Sequence, residues 1–238
     1  MRLESYQLDY LPRSGRVLVW PVYTGTYERY DDFHAVTGSA RAVLALERNR
    51  RIRDEIGRVL DYLADDDRYD GDRVGIVGLS HGAMMAALPL ALEPRLKAAV
   101  LYSVGIATPN PVFGNPQNDP NLFWARVKQP VLIINGRYDP IRPYRYVLEP
   151  LLALLATPAA DKRGVLLDAA HWPLPRHQVM RETLHWLDRH LGETGISVRA
   201  VAGAGWRDKE EAAERSTLPQ SGTLSVDDGL RPAVNRGE

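Results

Sequence analysis

Ser80 stands in the stretch Gly78-Leu79-Ser80-His81-Gly82, with a glycine two residues away on each side. A serine hydroxyl is a weak nucleophile until a base activates it. A serine lifted onto a sharp turn between a strand and a helix leaves almost no room for side chains at the flanking positions. Gly78 and Gly82 suit that demand. The backbone N–H of His81, directly after the serine, is where such a turn supplies a donor to a developing oxyanion. This spacing points to acyl transfer through a covalent serine intermediate.

The base must come from elsewhere in the chain. The histidines are His34, His81, His171, His177, His185 and His190. His171, in Asp168-Ala169-Ala170-His171-Trp172, follows a short apolar run and precedes the last helix, so its loop can reach back over the turn. His177 is a lesser rival. His185 and His190 read as solvated residues of that last helix, His34 lies in an early loop, and His81 is turned away from the serine to line a pocket. A carboxylate must then fix the imidazole tautomer. Asp139, in Asn135-Gly136-Arg137-Tyr138-Asp139-Pro140, follows an apolar run and suits this role. Asp168 is the runner-up, its better reading being closure of a turn.

These residues meet only if the elements before them end at one edge. Arg16–Val22 reads as a buried strand and Arg51–Leu63 as an amphipathic helix, with a polar loop over Thr24–Asp32 between them. Arg73–Val77 is a second buried strand, and Ala83–Leu92 a buried helix stopped at Glu93-Pro94. Lys97–Tyr102 is the next strand, and Gly105–Asn121 a long loop. Val127–Asn135 contains another strand, with Pro130 at its start. Pro143–Leu155 reads as a helix that Pro150 breaks or kinks, Gly164–Leu167 as a short strand, and Gln178–Leu191 as the last helix. The alternation predicts an α/β chain with a mostly parallel sheet and helices on both faces. Residues 1–192 are expected to form this domain. Residues 193–238, without periodicity and rich in small and charged residues, are expected to be a disordered tail, a docked helix over Asp208–Glu214 being the lesser alternative.

Composition excludes several classes. Thirty basic and thirty acidic residues leave no net charge to draw the chain to nucleic acid or an anionic membrane. With no cysteine there is no disulfide, thiol nucleophile or thiolate metal ligand. The apolar runs are too short to span a bilayer, and Met1–Ser5 opens no secretory signal. His185 and His190, five apart, do not share the helix face that a metal pair needs, and Gly75–Ser80 lacks the third glycine of a nucleotide loop. No cofactor or metal is expected, and the location expected is the cytoplasm.

Several phrases carry a resemblance. They are Ser14–Val17 leading into Pro21–Arg29, then Ala91–Leu101, then Pro130–Asp139. With them the stretch from about Arg13 to Leu191 resembles the α/β-hydrolase superfamily, in particular its dienelactone-hydrolase and prolyl-oligopeptidase-like members. More narrowly it resembles the hydrolase domain attached to some bacterial serine/threonine protein kinases. The order Ser80, Asp139, His171 is the triad order of that superfamily. The resemblance implies a chain that starts about one helix ahead of the matching segment, Ser5–Arg13 being that helix. The fold's first strands and the loop bearing the second oxyanion donor would then be absent, which leaves three readings: a fragment or mis-assigned start, a minimal hydrolase that recruits a donor elsewhere, with Tyr23 in Tyr23-Thr24-Gly25 as the candidate, or a catalytically weak chain. It would leave an unpaired sheet edge through which a homodimer could form.

The function expected is hydrolysis of a small-molecule carboxylic ester. A peptidase of the same fold and a catalytically weak interaction module derived from a signalling protein are the alternatives. Trp172, Tyr138 and Tyr27 are the first candidates to line a substrate pocket, followed by Tyr23, with Phe113 and Trp124 assigned to a small lid over it.

Overall fold

In the computed structural model the residues described are 7–30, 35–107 and 119–195. The expected tail from 196 onward, the helix alternative at Asp208–Glu214, Phe113 and His34 lie outside them. Four apolar, β-branched segments form strands: β1 (Val74–Leu79), β2 (Leu96–Tyr102), β3 (Val131–Gly136) and β4 (Lys162–Leu167). They pair in the order β1-β2-β3-β4, every pair parallel.

The two-residue side-chain period of a strand divides the core between the sheet's faces. Ala99, Leu101, Val131 and Ile133 pack on one face with residues of α2 (Gly38–Asp65), α3 (His81–Met85), α4 (Ala87–Leu92), α5 (Pro120–Trp124) and α6 (Glu149–Leu154). Val100, Tyr102, Leu132 and Ile134 pack on the other with α1 (Tyr10–Arg13) and α7 (Arg176–Leu191). A stepwise march of parallel strands places its right-handed crossovers on one face, and α3 to α6 lie there. The opposite face is pinned by a buried hydroxyl chain. The Tyr10 and Tyr102 hydroxyls lie 3.0 Å apart, and that of Tyr102 is 2.9 Å from Thr183 Oγ1.

Four expectations are corrected. Arg16–Val22 forms no regular element and joins no ladder, and Val17, Val19 and Trp20 are exposed rather than buried. Its β-branched run suits a strand, but the backbone of β1 pairs with β2 alone among the described residues. The helix expected at Arg51–Leu63 begins at Gly38, because Ala-, Leu- and Arg-rich residues 40–50 propagate a helix without a complete apolar stripe. Pro150 lies in the first turn of α6, as its second residue, rather than interrupting it; ahead of α6 Tyr144–Leu148 is a π-helical turn. Trp124 is no lid residue: it sits on α5, fully buried in the core.

Candidate active site

β1, β3 and β4 each end just before a residue of chemical interest, so the strands of a parallel sheet deliver Ser80, Asp139 and His171 to their common C-terminal edge. Ser80 is the residue between β1 and α3, with φ +51° and ψ −109°. Side chains rarely adopt this conformation, and a residue held in it is over-determined by its surroundings. Its N–H donates to Tyr102 O at 2.8 Å, and its carbonyl accepts from Met84 N–H at 3.0 Å. Gly78 is required by crowding: a Cβ there would lie 2.7 Å from Ala83 Cα and 2.8 Å from Ala83 N. Gly82 is not so constrained, since a Cβ would meet nothing within 4 Å.

Ser80 Oγ lies 2.9 Å from His171 Nε2, and His171 Nδ1 lies 2.6 Å from Asp139 Oδ2. The Asp139 side chain is fully buried. Its other oxygen, Oδ1, accepts backbone N–H groups of Ile141 at 2.8 Å and Arg142 at 2.9 Å. An ionised carboxylate only accepts, so Nδ1 carries the proton toward Oδ2. That leaves the lone pair of Nε2 to accept from the Ser80 hydroxyl. The arrangement can draw the serine proton onto an imidazole whose positive charge a buried carboxylate faces.

The rivals sit elsewhere. Asp168 is exposed and pairs with Arg137 at 3.0 Å. His177 and His185 are exposed on α7. His190, expected to be solvated, is instead half-buried with its ring tilted against Trp186, centroids 4.3 Å apart, and burial, then Arg189, push its imidazole below its usual range. His81 is exposed and lines the cavity beside Ser80.

That cavity has a volume of about 1340 Å³. Its lining runs from Ser80 along β1 and includes residues of α2 and of the segment 16–23. Tyr23 and Tyr27 line it; Tyr138 is exposed outside it, and Trp172 packs into the core, its ring centroid 6.4 Å from that of Tyr102. The turn after Tyr23 is tied to α2. Glu55 accepts from Thr24 N–H at 3.1 Å, Thr24 Oγ1 at 2.7 Å and Arg29 at 2.7 Å. Burial pushes the Glu55 carboxyl up, but these donors together outweigh it and leave it below its ordinary value. Burial, helped by Glu55, pushes the Tyr23 phenol up to about 12.

Two residues with a place at the site carry no sequence signal. Arg142, three residues beyond Asp139, lines the cavity half-buried, and its Nε has no hydrogen-bond partner among the described residues. Ser103, fully buried after β2, donates through Oγ to the carbonyl of His171. No spacing rule marks either, because each is defined by a neighbour distant in sequence or by a loop conformation.

Among the described residues no group of three or more metal-ligating side chains comes together, and no helix is long and apolar enough to cross a membrane.

The profile of the dienelactone hydrolase family matches residues 15–149, more than half of the chain. His171 lies beyond the matched part and stands on the geometry. A PEG-bound, cold-adapted esterase from an Arctic intertidal metagenomic library aligns with a TM-score of 0.54 and 23% identity, over 71% of this chain and 67% of that one. Its zinc-bound form gives 0.52 and 23%, over 66% of each. A puromycin-hydrolyzing peptidase from Mycobacterium tuberculosis gives 0.50 and 21%, over 61% of this chain and 27% of that one. The chain thus spans about two thirds of the esterase's length, and at these identities the likeness is one of fold. No curated protein matches.

Proposed function

The chain belongs to the dienelactone hydrolase family, and from that premise we propose that it hydrolyses a small-molecule carboxylic ester through Ser80, His171 and Asp139. The observation that carries this reading is the unbroken run of contacts from Ser80 Oγ through His171 to Asp139, at 2.9 Å and 2.6 Å. Ser80 attacks the ester carbonyl while His171 Nε2 takes its proton. The tetrahedral intermediate collapses to an acyl-enzyme, and His171 returns the proton to the leaving alcohol. Water, deprotonated by the same nitrogen, then frees the acid and regenerates Ser80. Asp139 holds the tautomer and faces the imidazolium.

The oxyanion needs donors. The backbone N–H of His81, at the first residue of α3, is one by its place after the nucleophile. Tyr23 is the second. In its turn Thr24 N–H is committed to Glu55, Gly25 N–H to Arg29 O and Thr26 N–H to Tyr23 O. A phenol with a pKa pushed up to about 12 stays protonated across the working range and so remains a donor. Tyr27 fits the wall of the ester pocket, since it lines the same cavity.

The narrower likeness to kinase-attached hydrolase domains rests on the phrases quoted above. A homodimer through the sheet edge is a further part of this reading, as is the cytoplasm for a chain without cysteine. The edge meant is the outer side of β1, which has no strand alongside among the described residues; β4, at the other end, carries exposed Arg163 and part-exposed Lys162, charges that blunt an edge.

The test is turnover of short-chain p-nitrophenyl esters by the wild type and by Ser80→Ala, with fluorophosphonate labelling of Ser80 alongside. Turnover abolished by the substitution is expected. A wild type that neither turns over such esters nor reacts with the probe would sink the proposal.

A further inference from the structure

The loop that carries His171 is held by its backbone as well as by its ring. β2 ends at Tyr102, and Ser103 follows it fully buried with φ +53°. This is the second non-glycine residue in the left-handed region at a strand end, after Ser80. Such conformations gather where surroundings over-determine them, and at functional sites. Here the N–H of Ser103 donates to Ile134 O of β3 at 3.0 Å, and its Oγ donates to the carbonyl oxygen of His171 at 2.5 Å. Asn135 braces the next residue by bonding both Val104 N–H at 3.1 Å and Val104 O at 2.8 Å.

The rest of the loop rests on β3. Arg137 N–H donates to Leu167 O at 2.7 Å and Tyr138 N–H to Ala169 O at 3.0 Å. At Gly136 a Cβ would lie 1.9 Å from Ala170 O, so the loop lies directly on that Cα. These contacts fix residues 167–170. The ring nitrogens of His171 are engaged by Ser80 and Asp139. The freedom that remains is a swing of the His171 peptide, and among the described residues it is Ser103 that bonds this peptide's carbonyl.

We propose that Ser103 is a positioning residue for His171: its hydroxyl, acting through the carbonyl of His171, sets the imidazole between Ser80 and Asp139. The proposal builds on the hydrolase reading for its kinetic consequence, while the geometry it describes stands apart from turnover. A displacement of about 1 Å in such a group can cost on the order of 100-fold in rate.

The test uses the full chain with Ser103→Ala, Ser103→Gly and Ser103→Thr. Alanine and glycine remove the hydroxyl, and glycine also relieves the backbone, so its loss of activity cannot be laid to strain. Both are expected to lower kcat on p-nitrophenyl butyrate by about 10- to 100-fold with KM within about twofold. Threonine keeps the hydroxyl but is β-branched at positive φ. It is expected to melt at a lower temperature yet recover most of kcat per folded molecule. A merely structural role would rank the variants by melting temperature instead. In proton NMR the downfield Nδ1–H resonance of His171 is expected in the wild type and broadened or lost in the alanine and glycine variants. Folded Ala and Gly variants with kcat within twofold of wild type and an unchanged resonance would overturn the proposal. A wild type inert to esters and to the fluorophosphonate probe, whose His171 resonance Ser103→Ala still erases, would overturn the hydrolase reading and leave the positioning role standing.

Discussion

Replacing Asp139 by asparagine separates shape from proton bookkeeping. The side chains are nearly the same size, but an amide presents one acceptor and one donor where the carboxylate presented two acceptors. The structure decides which way the amide faces. Ile141 N–H at 2.8 Å and Arg142 N–H at 2.9 Å both point at the Oδ1 position, so the amide oxygen must occupy it. The NH2 group is then turned to His171 Nδ1, across the present 2.6 Å contact. Facing a donor, Nδ1 must become the acceptor, and the ring proton moves to Nε2. An Nε2–H cannot take the proton of Ser80. The flipped amide would set its NH2 against the two backbone N–H groups and leave both without this acceptor, so it offers no escape. The expected loss is on the order of 10⁴-fold in kcat, about 5 kcal/mol of transition-state stabilisation at about 1.4 kcal/mol per factor of ten. Thermal melting should change little, because volume and backbone bonds persist. The assay is kcat and KM on a p-nitrophenyl ester together with a melting curve. A folded Asp139→Asn variant within about tenfold of wild type would refute the tautomer argument and the part given to Asp139.

Two further outcomes follow from the opposite wall of the cavity. Tyr23→Phe removes the phenol and little else. If Tyr23 donates to the oxyanion through that hydroxyl, kcat falls by about 100- to 1000-fold with KM little changed; an unchanged kcat would take the hydroxyl out of the mechanism. Glu55 gives a dependence on pH. Its carboxyl is held below its ordinary value in the folded chain. The stability it lends is therefore present above the unfolded value of about 4.3 and is lost as pH falls through the lower folded one. The turn at Tyr23–Arg29 should stay anchored at neutral pH and loosen in acid below about pH 4, as followed by Trp20 fluorescence. Glu55→Gln should loosen it already at neutral pH and flatten that acid transition; an identical transition in the variant would show that another group governs it.

Much of the sheet was legible because each strand is short, apolar and bounded by turn residues, and because a parallel sheet sends every strand's end the same way. Ser80, Asp139 and His171 could be picked for that reason: each follows a strand that reads plainly. The misjudged elements are those whose sequence is ambiguous without a neighbour. Val17-Leu18-Val19-Trp20 has strand chemistry, but a strand is defined by its pairing, and composition does not say whether a partner lies alongside. Gly82 matched a motif whose crowding falls on Gly78 alone. Trp172 looked like a pocket residue by its place next to the base, yet its ring faces Tyr102 in the core. Ser103 could not be found from its neighbours in sequence, since its meaning lies in a carbonyl 68 residues away.

The two sides of the site are held by forces of different strength, and this shapes what each can do. The triad side hangs from four ladder-bonded strands, the central β2 and β3 largely buried, and a fully buried carboxylate. The other wall, residues 16–30, has no ladder to β1 among the described residues and is tied down by side chains: Arg16 to Asp188 at 2.5 Å, Arg29 to Glu55 at 2.7 Å and Arg48 to Gly25 O at 2.6 Å. Arg29 is about half exposed, and ion pairs so placed are each worth only about 0–1 kcal/mol. A segment held in this way opens at lower free energy than the sheet. The rigid side carries the proton transfers, which fail when displaced by about an ångström. The wall that yields more readily bears Tyr27 and the aliphatic lining, contacts that tolerate adjustment. Tyr23 stands at the join, carried by the looser segment but asked, in the proposed mechanism, to meet an oxyanion at hydrogen-bond distance. Its tether through Thr24 and Glu55 to α2 is therefore what couples the two sides, and changes at Glu55 should be felt in kcat even though that carboxylate touches neither serine nor histidine.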